Sequence, residues 1–211
     1  VTTLVSSFKD MFVRQTIAID GNYHIKYGAV PIDKTSYIAQ HSLVDKAFMT
    51  VDLGYTELNV DRPVQSFLKV AAYDENALEM LPVYLVEGRK PENSREILLD
   101  VSLMNVSGME IGEEVVLSIG IKTYSEEDQA TFIDFHTSKD WTFTIVGFIN
   151  RIPYETGYSS DMVALTFSDS NITDEFDKTN MGVLLDKPKD PIIKAEQIAK
   201  DADLPKNQSF Y

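Results

Sequence analysis

The sequence predicts a mixed chain of the α+β / α/β class, built as a discontinuous α/β lobe (residues 1–82 plus 153–211) around an inserted, mostly β subdomain (83–152). Three observations predict this layout. Stripes of helical period alternate with strand-like runs in both terminal stretches. From about Leu85 to Asn150 the chain reads instead as strands, turns and one short helix. The composition shifts at these bounds, and loop chemistry marks the change, Gly88-Arg89-Lys90-Pro91 early in the insert and Ile152-Pro153 at its end. At 211 residues there is ample material for one large domain or two small ones. The 44% hydrophobic and 25% charged content is that of a folded globular protein.

Residues 3–13 place Leu4, Val5, Phe8, Met11 and Phe12 at helical spacing, one apolar stripe. Residues 22–27 alternate Tyr23, Ile25 and Tyr27 with His24 and Lys26, the period of a half-buried strand. Pro31 is expected to set the first turn of a helix reaching about Val44. Its stripe of Ile32, Thr35, Ile38 and Ser42 is modestly apolar, which suits a helix covering a sheet. Residues 48–58 and 66–73 are β-rich, with Gly54 marking a bulge and residues 59–63 a hairpin turn.

In the middle stretch, Pro91 bars helix or central strand, and residues 92–95 form a polar loop before a buried strand at 96–99. Asp100 is placed to cap a helix over 101–107, with Gly108 as its stop. Residues 111–118 read as a turn feeding a strand, 124–128 as an acidic break, and 143–149 as another strand. After Pro153 come short apolar strands at 161–167 and 181–185, separated by a polar loop at 169–177. The last element is a helix with Asp190 as N-cap, Pro191 at its first position and a face of Ile192, Ala195, Ala199 and Ala202.

Composition removes whole classes of function. Nineteen basic against 33 acidic residues give a net charge of −14, which repels phosphate backbones and anionic lipid surfaces. The absence of Cys removes disulfides, thiolate nucleophiles and Cys-ligated metals. No apolar run approaches the roughly 18 residues of a membrane span, so this piece is expected to be soluble by itself. With no initial Met, no signal-peptide pattern and an abrupt end at Tyr211, it reads as part of something longer.

Chemistry is sparse. His24, His41 and His136 have no metal-ligand spacing and read as surface imidazoles, His24 on the polar face of its strand and His41 late in a helix. Residues 157–161 resemble a nucleophile elbow around Ser159 but lack its second Gly, and there is no phosphate-binding Gly-rich loop. The best metal candidate is a partial calcium loop. Asp169, Asn171, Thr173 and Asp177 take its first, third, fifth and ninth positions, but the sixth is Asp174 rather than Gly and the twelfth is Asn180 rather than Glu. An acidic surface loop is the default there. The many Tyr and Phe residues, among them Tyr55, Tyr84, Phe135, Tyr154 and Tyr158, are first of all core and strand-face residues. No catalytic group, cofactor or enzyme activity is therefore assigned.

One ordered set of motifs goes further. Leu85, Gly88, Arg89 and Pro91 are followed by Glu96-Ile97. After a short helix come Ile111, Gly112, Val115 and Leu117, and then Val146-Gly147. In this order and spacing the chain resembles the extracytoplasmic core domain of FtsX-like/MacB-like permeases, the membrane subunits of a class of ABC transporters. The resemblance extends over most of the chain. It implies a porter-like lobe near the membrane with a β-rich, sabre-like subdomain above it, and it makes residues 3–13 a stalk continuing a transmembrane helix. It also implies partners: a cytoplasmic ATPase, a second permease copy or paralogue held through transmembrane helices, and a lipid, peptide or protein cargo at the extracytoplasmic face of the cell membrane. The expected roles of Gly88, Arg89, Pro91, Glu96, Gly112 and Gly147 are architectural: the glycines permit turns, and Arg89 bridges lobes through Glu96 or Glu87. Both termini are then expected at one end. The alternative is a secreted ligand- or glycan-binding module with an aromatic-walled pocket.

Overall fold

The structure, a computed structural model, describes residues 2–58, 67–124, 132–150, 152 and 162–205. The chain folds as two compact units, one formed by Val1–Thr50, Asp74–Val83 and Thr173–Tyr211, the other by Val51–Tyr73 and Tyr84–Ile172. Their bounds differ from those of the expected lobes.

The first unit begins with helix α1, Thr2–Asp20, seven residues longer at its C-terminal end than the apolar stripe suggests. Strand β1 (Ile25–Pro31) follows, then a 3-10 turn (Ile32–Lys34) and the short helix α2 (Thr35–Ala39). Pro31 ends the strand and also caps the 3-10 turn, so helical turns follow it as expected, but they stop at Ala39, well short of Val44. Strand β2 (Val44–Glu57) starts in this unit, which also holds α3 (Glu75–Met80) and β9 (Lys178–Leu185). The final helix of the described residues, here α6, spans Pro191–Asp201. Strand β9 pairs antiparallel with β1 on one side and β2 on the other. Ile25, Tyr27, Val30, Ile38, Ala47, Met181, Val183, Leu185, Ala195 and Ile198 make one buried cluster, so α2 and α6 cover this sheet. The Tyr27 hydroxyl donates to the Ala195 carbonyl at 2.9 Å, which satisfies a fully buried phenol.

The buried face of α6 is Ala195, Ile198 and Ala202, whereas Ile192 is 67% exposed. Asp190 precedes the helix in a left-handed conformation and its side chain makes no cap bond. The expected face holds at Ala195, Ala199 and Ala202, which lie in or against the buried cluster; Ile198 joins them, and Ile192 in the first turn is left in solvent. Helix α3 buries Ala77, Leu78 and Met80 and is capped by Asp74, whose carboxylate accepts from Ala77 N–H at 2.7 Å.

The second unit has the strand order β2-β3-β8-β5-β7-β4. It contains β3 (Phe67–Tyr73), β4 (Leu85–Gly88), β5 (Glu96–Asp100), β6 (Glu114–Tyr124), β7 (Phe132–Ile149) and β8 (Met162–Phe167). β3 with β8 and β5 with β7 are parallel; β8 with β5, β7 with β4 and β6 with β7 are antiparallel. Ile97, Leu98, Leu99, Val163, Ala164 and Leu165 are all essentially buried, the continuous apolar run of strands covered on both faces. Helix α4 (Ser102–Ser107) follows β5 and stops at Gly108, whose φ of 69° is the left-handed cap expected there. Asp100 accepts from the Ser102 amide and hydroxyl, although Val101 is the capping residue. The loop at 169–177 contains a short helix, α5 (Ser170–Thr173). Gly54 has φ 120°, and a Cβ there would lie 2.4 Å from the Gly120 carbonyl oxygen, so the glycine permits β2 to approach β6. Of the acidic break expected at 124–128, Tyr124 ends β6; residues 125–128, the expected turn at 59–63 and the chain ends at Val1 and Tyr211 lie outside the described residues.

Candidate functional site

The motif residues converge on the loop between β4 and β5. Gly88, with φ 84°, is the register partner of Gly147 across β4 and β7. A Cβ on Gly88 would fall 2.2 Å from the Val146 carbonyl oxygen, and one on Gly147 would fall 2.5 Å from that of Glu87. Two glycines separated by most of the subdomain are thus a single close contact between backbones. Gly112, with φ 94°, has open space around it and donates its N–H to the Ile145 carbonyl at 2.8 Å.

Arg89 forms a two-pronged pair with Glu96, Nη1 to Oε2 at 2.7 Å and Nη2 to Oε1 at 2.6 Å, and Glu92 N–H donates to the same carboxylate at 2.9 Å. The paired guanidinium, assisted by that amide, pushes the Glu96 carboxyl down to about 2. Arg89 and Glu96 belong to the same compact unit, so the pair closes the two ends of one loop instead of bridging lobes. Pro91 between them is buried.

The next turn of the loop is pinned elsewhere. Ser94 N–H donates to Asp169 Oδ2 at 3.0 Å, the Asn171 side-chain amide donates to Ser94 Oγ at 3.2 Å, and Asp169 Oδ1 accepts from Asn171 N–H. Burial opposes ionisation of Asp169, but these hydrogen bonds outweigh it and its pKa is lowered. Two of the four calcium candidates are therefore loop anchors. Of the others, Thr173 ends α5 and the Asp177 carbonyl accepts from Ile32 N–H. Among the described residues no group of three or more His, Cys, Asp or Glu is placed to hold a metal ion.

Beside this anchored turn an open cavity of about 440 Å³ is lined by Ser94, Arg95, Asn171, Glu114 and the β7 residues at 140–144. Trp141, the chain's single tryptophan, stacks on Phe143 at 6.2 Å between centroids, with Lys139 Nζ 4.2 Å from the indole. Sequence reasoning did not single out this cavity. Its signal was the apolar–polar alternation of residues 139–143, which places Lys139, Trp141 and Phe143 on one face.

The histidines are more engaged than surface imidazoles. His24 Nδ1 accepts from Leu185 N–H at 3.0 Å and its own N–H donates to Val183, fastening the start of β1 to β9. Burial, with Lys194 nearby, lowers its pKa and keeps the ring neutral, as an accepting Nδ1 requires. His41 follows α2 and accepts from Leu43 N–H while its Nε2 lies 3.2 Å from Asp201 Oδ2. His136 pairs with Asp134 on an exposed strand. Of the aromatic residues, Tyr27 and Tyr73 are core, Tyr84 is exposed, and Tyr55 lies 4.1 Å from Lys122 Nζ. Ser159, Tyr154 and Tyr158 lie outside the described residues.

No described helix is long and apolar enough to cross a membrane. No family model matches the sequence, and no curated protein matches it. Solved structures do match. A domain of a permease protein from Porphyromonas gingivalis aligns with TM-score 0.55 and 15% identity over 90% of this chain and 89% of that one. The extracellular domain of the noncanonic ABC-type transporter YknZ from Gram-positive bacteria gives 0.53 and 8%, over 87% and 89%. The periplasmic region of MacB from Actinobacillus actinomycetemcomitans gives 0.56 and 10%, over 95% and 93%. At such identities the likeness is one of fold: this chain has the mixed α/β fold of extracytoplasmic ABC-permease domains, as the motif order at 85–147 led us to expect.

Proposed function

We propose that the chain is a non-catalytic extracytoplasmic domain of an ABC-transporter permease. In this reading a separate cytoplasmic ATPase drives the transmembrane helices, and the domain converts their motion into export, extraction or signalling at the cell surface. The observation that carries the reading is the fold, similar to three permease domains over 87% or more of this chain. Helix α1 supports it. All its described side chains from residue 6 to 20 are exposed, with Phe8 at 52%, Met11 at 50% and Phe12 at 61%. An apolar helix with so little of its own unit against it suits a stalk that continues into a membrane. The two-lobe layout, a porter-like lobe of 1–82 plus 153–211 and an inserted sabre-like 83–152, belongs to the same proposal, as does a second permease copy or paralogue as partner.

The complete reading frame tests it. An apolar helix of about 20 residues ending just before Val1, with three more after Tyr211, is expected. A signal peptide before Val1 and a stop codon soon after Tyr211 overturn it. That result would favour a secreted ligand-binding module, for which the open cavity beside Trp141 is the one specific observation.

A further inference from the structure

The cavity beside Trp141 has an open strand edge as its floor. β6 pairs with β7 from Glu114↔Thr144 to Tyr124↔Phe132, which occupies one side of β7. On the other side β5 pairs only from Glu96↔Thr144 onward. Upstream of Thr144, no described strand pairs with β7 on that side. The direction of the backbone groups follows from the alternation of an antiparallel ladder. Ile145 N–H donates to Glu113 on the β6 side, and Thr144 N–H donates to Arg95 on the β5 side. Alternation then turns the N–H and C=O of Thr142 and Asp140 toward the β5 side, along the track on which β5 has not yet begun.

The chain that could have covered this edge is drawn aside. Arg95 N–H is held by the Asn93 side chain, and Ser94 is fastened to Asp169 and Asn171. The charges around the opening have one dominant sign. Glu114 and Asp140 are exposed acids on one face of the hairpin, and only Arg95 opposes them in the lining. On the other face Trp141 is half-buried over Phe143.

We propose that this edge is a docking track for an extended polypeptide segment of a partner, which adds as a strand beside residues 140–144 of β7, in line with β5. Main-chain bonds to Asp140 and Thr142 supply the register, and alternate side chains supply selectivity. The segment that fits carries basic residues next to Asp140 and Glu114 and apolar residues against Trp141. A net charge of −14 also disfavours the approach of an acidic segment. This inference goes beyond the transporter reading and does not rest on it, because every group in the track belongs to this chain.

The test uses the 211-residue chain and a capped seven-residue peptide of alternating Lys and Val, with the Glu/Val peptide as control. The single tryptophan reports binding by its emission, and amide hydrogen exchange reports the edge. Expected are saturation by the Lys/Val peptide, weakening with added salt, and exchange at Asp140 and Thr142 that is fast in the free chain and slowed by the peptide. The double variant E114K/D140K, on two exposed positions, is expected to bind about tenfold more weakly or worse. Four results overturn the proposal: no saturation, equal binding of the Glu/Val peptide, protection of the Thr142 amide before any peptide is added, or binding that leaves both amides exchanging fast.

Discussion

Two chain reversals in this molecule are each organised by one carboxylate, and they work in opposite ways. At the start of α3 in the first unit, Asp74 accepts from Met49 N–H at 2.9 Å and Ala77 N–H at 2.7 Å. At the β4–β5 loop of the second, Glu96 accepts from both arms of Arg89 and from Glu92 N–H. The numbers of hydrogen bonds are similar, yet burial lifts the Asp74 carboxyl to about 6 while the guanidinium lowers that of Glu96 to about 2. Neutral amides only partly replace the hydration that burial removes, and Glu75 beside Asp74 adds repulsion. A counter-charge at the edge of solvent does more for ionisation than two amides in a partly dry pocket.

The largest way to break the comparison removes the backbone contact on which the Glu96 loop rests. Gly88→Ala places a Cβ 2.2 Å from a carbonyl oxygen at a residue with φ 84°, and is expected to cost about 3 kcal/mol or more. Gly108→Ala, with φ 69° and nothing within 4 Å, carries only the conformational part, about 1 kcal/mol. Chemical denaturation of both variants measures the difference. Equal losses would mean that the close contact with β7 contributes nothing.

The middle-sized effect addresses the charge. Glu96→Gln removes the two-pronged anion from Arg89, leaving only Glu92 at 3.8 Å, and is expected to lower stability by about 1–2 kcal/mol at pH 7. Because the folded pKa of Glu96 is depressed, its contribution is present above the ordinary value of 4.5 and is lost as the pH falls toward about 2. The variant's stability curve should therefore rejoin that of the parent in acid, and a gap that persists near pH 2 would show that shape rather than charge is at stake.

The smallest effect has the opposite sign. Asp74 has a raised folded pKa, so its contribution is greatest below its ordinary 3.8 and is lost as the pH rises through about 6. Asp74→Asn keeps a capping oxygen without the charge. Its Tm at pH 7 is expected to match the parent's or rise by a few degrees, about 2–4 °C, and the slope between pH 4 and 6 should flatten. A clear fall in Tm at pH 7 would mean that the Met49 amide bond outweighs the burial of the charge.

The legible and illegible parts of the structure differ for a physical reason. Alternation where β1 overlaps the expected 22–27, the buried run of β5, the stop at Gly108 and the breaking of the chain at Pro91 are consequences of local backbone chemistry and side-chain period. Residues 25–27, 96–100 and 108 behave accordingly, whereas β1 runs on through an irregularity to Pro31. Helix α6 and most of its buried face, Ala195, Ala199 and Ala202, were visible, but the exposure of Ile192 and the burial of Ile198 were not, since these depend on which side meets the sheet. Likewise Gly88 and Gly147 stand out as glycines, while their meeting across β4 and β7 follows from a strand register between residues 59 positions apart in the sequence. The parallel pairings of β3 with β8 and β5 with β7, the commitment of Asp169 and Asn171 to Ser94 instead of to a cation, and the open edge at Asp140 and Thr142 belong to the same class. Sequence by itself determined where the chain could bend and which segments were extended or helical, because those preferences are settled within a few residues. Only the tertiary structure decided which edges paired and which stayed open, because that is set by long-range packing among segments no local pattern connects.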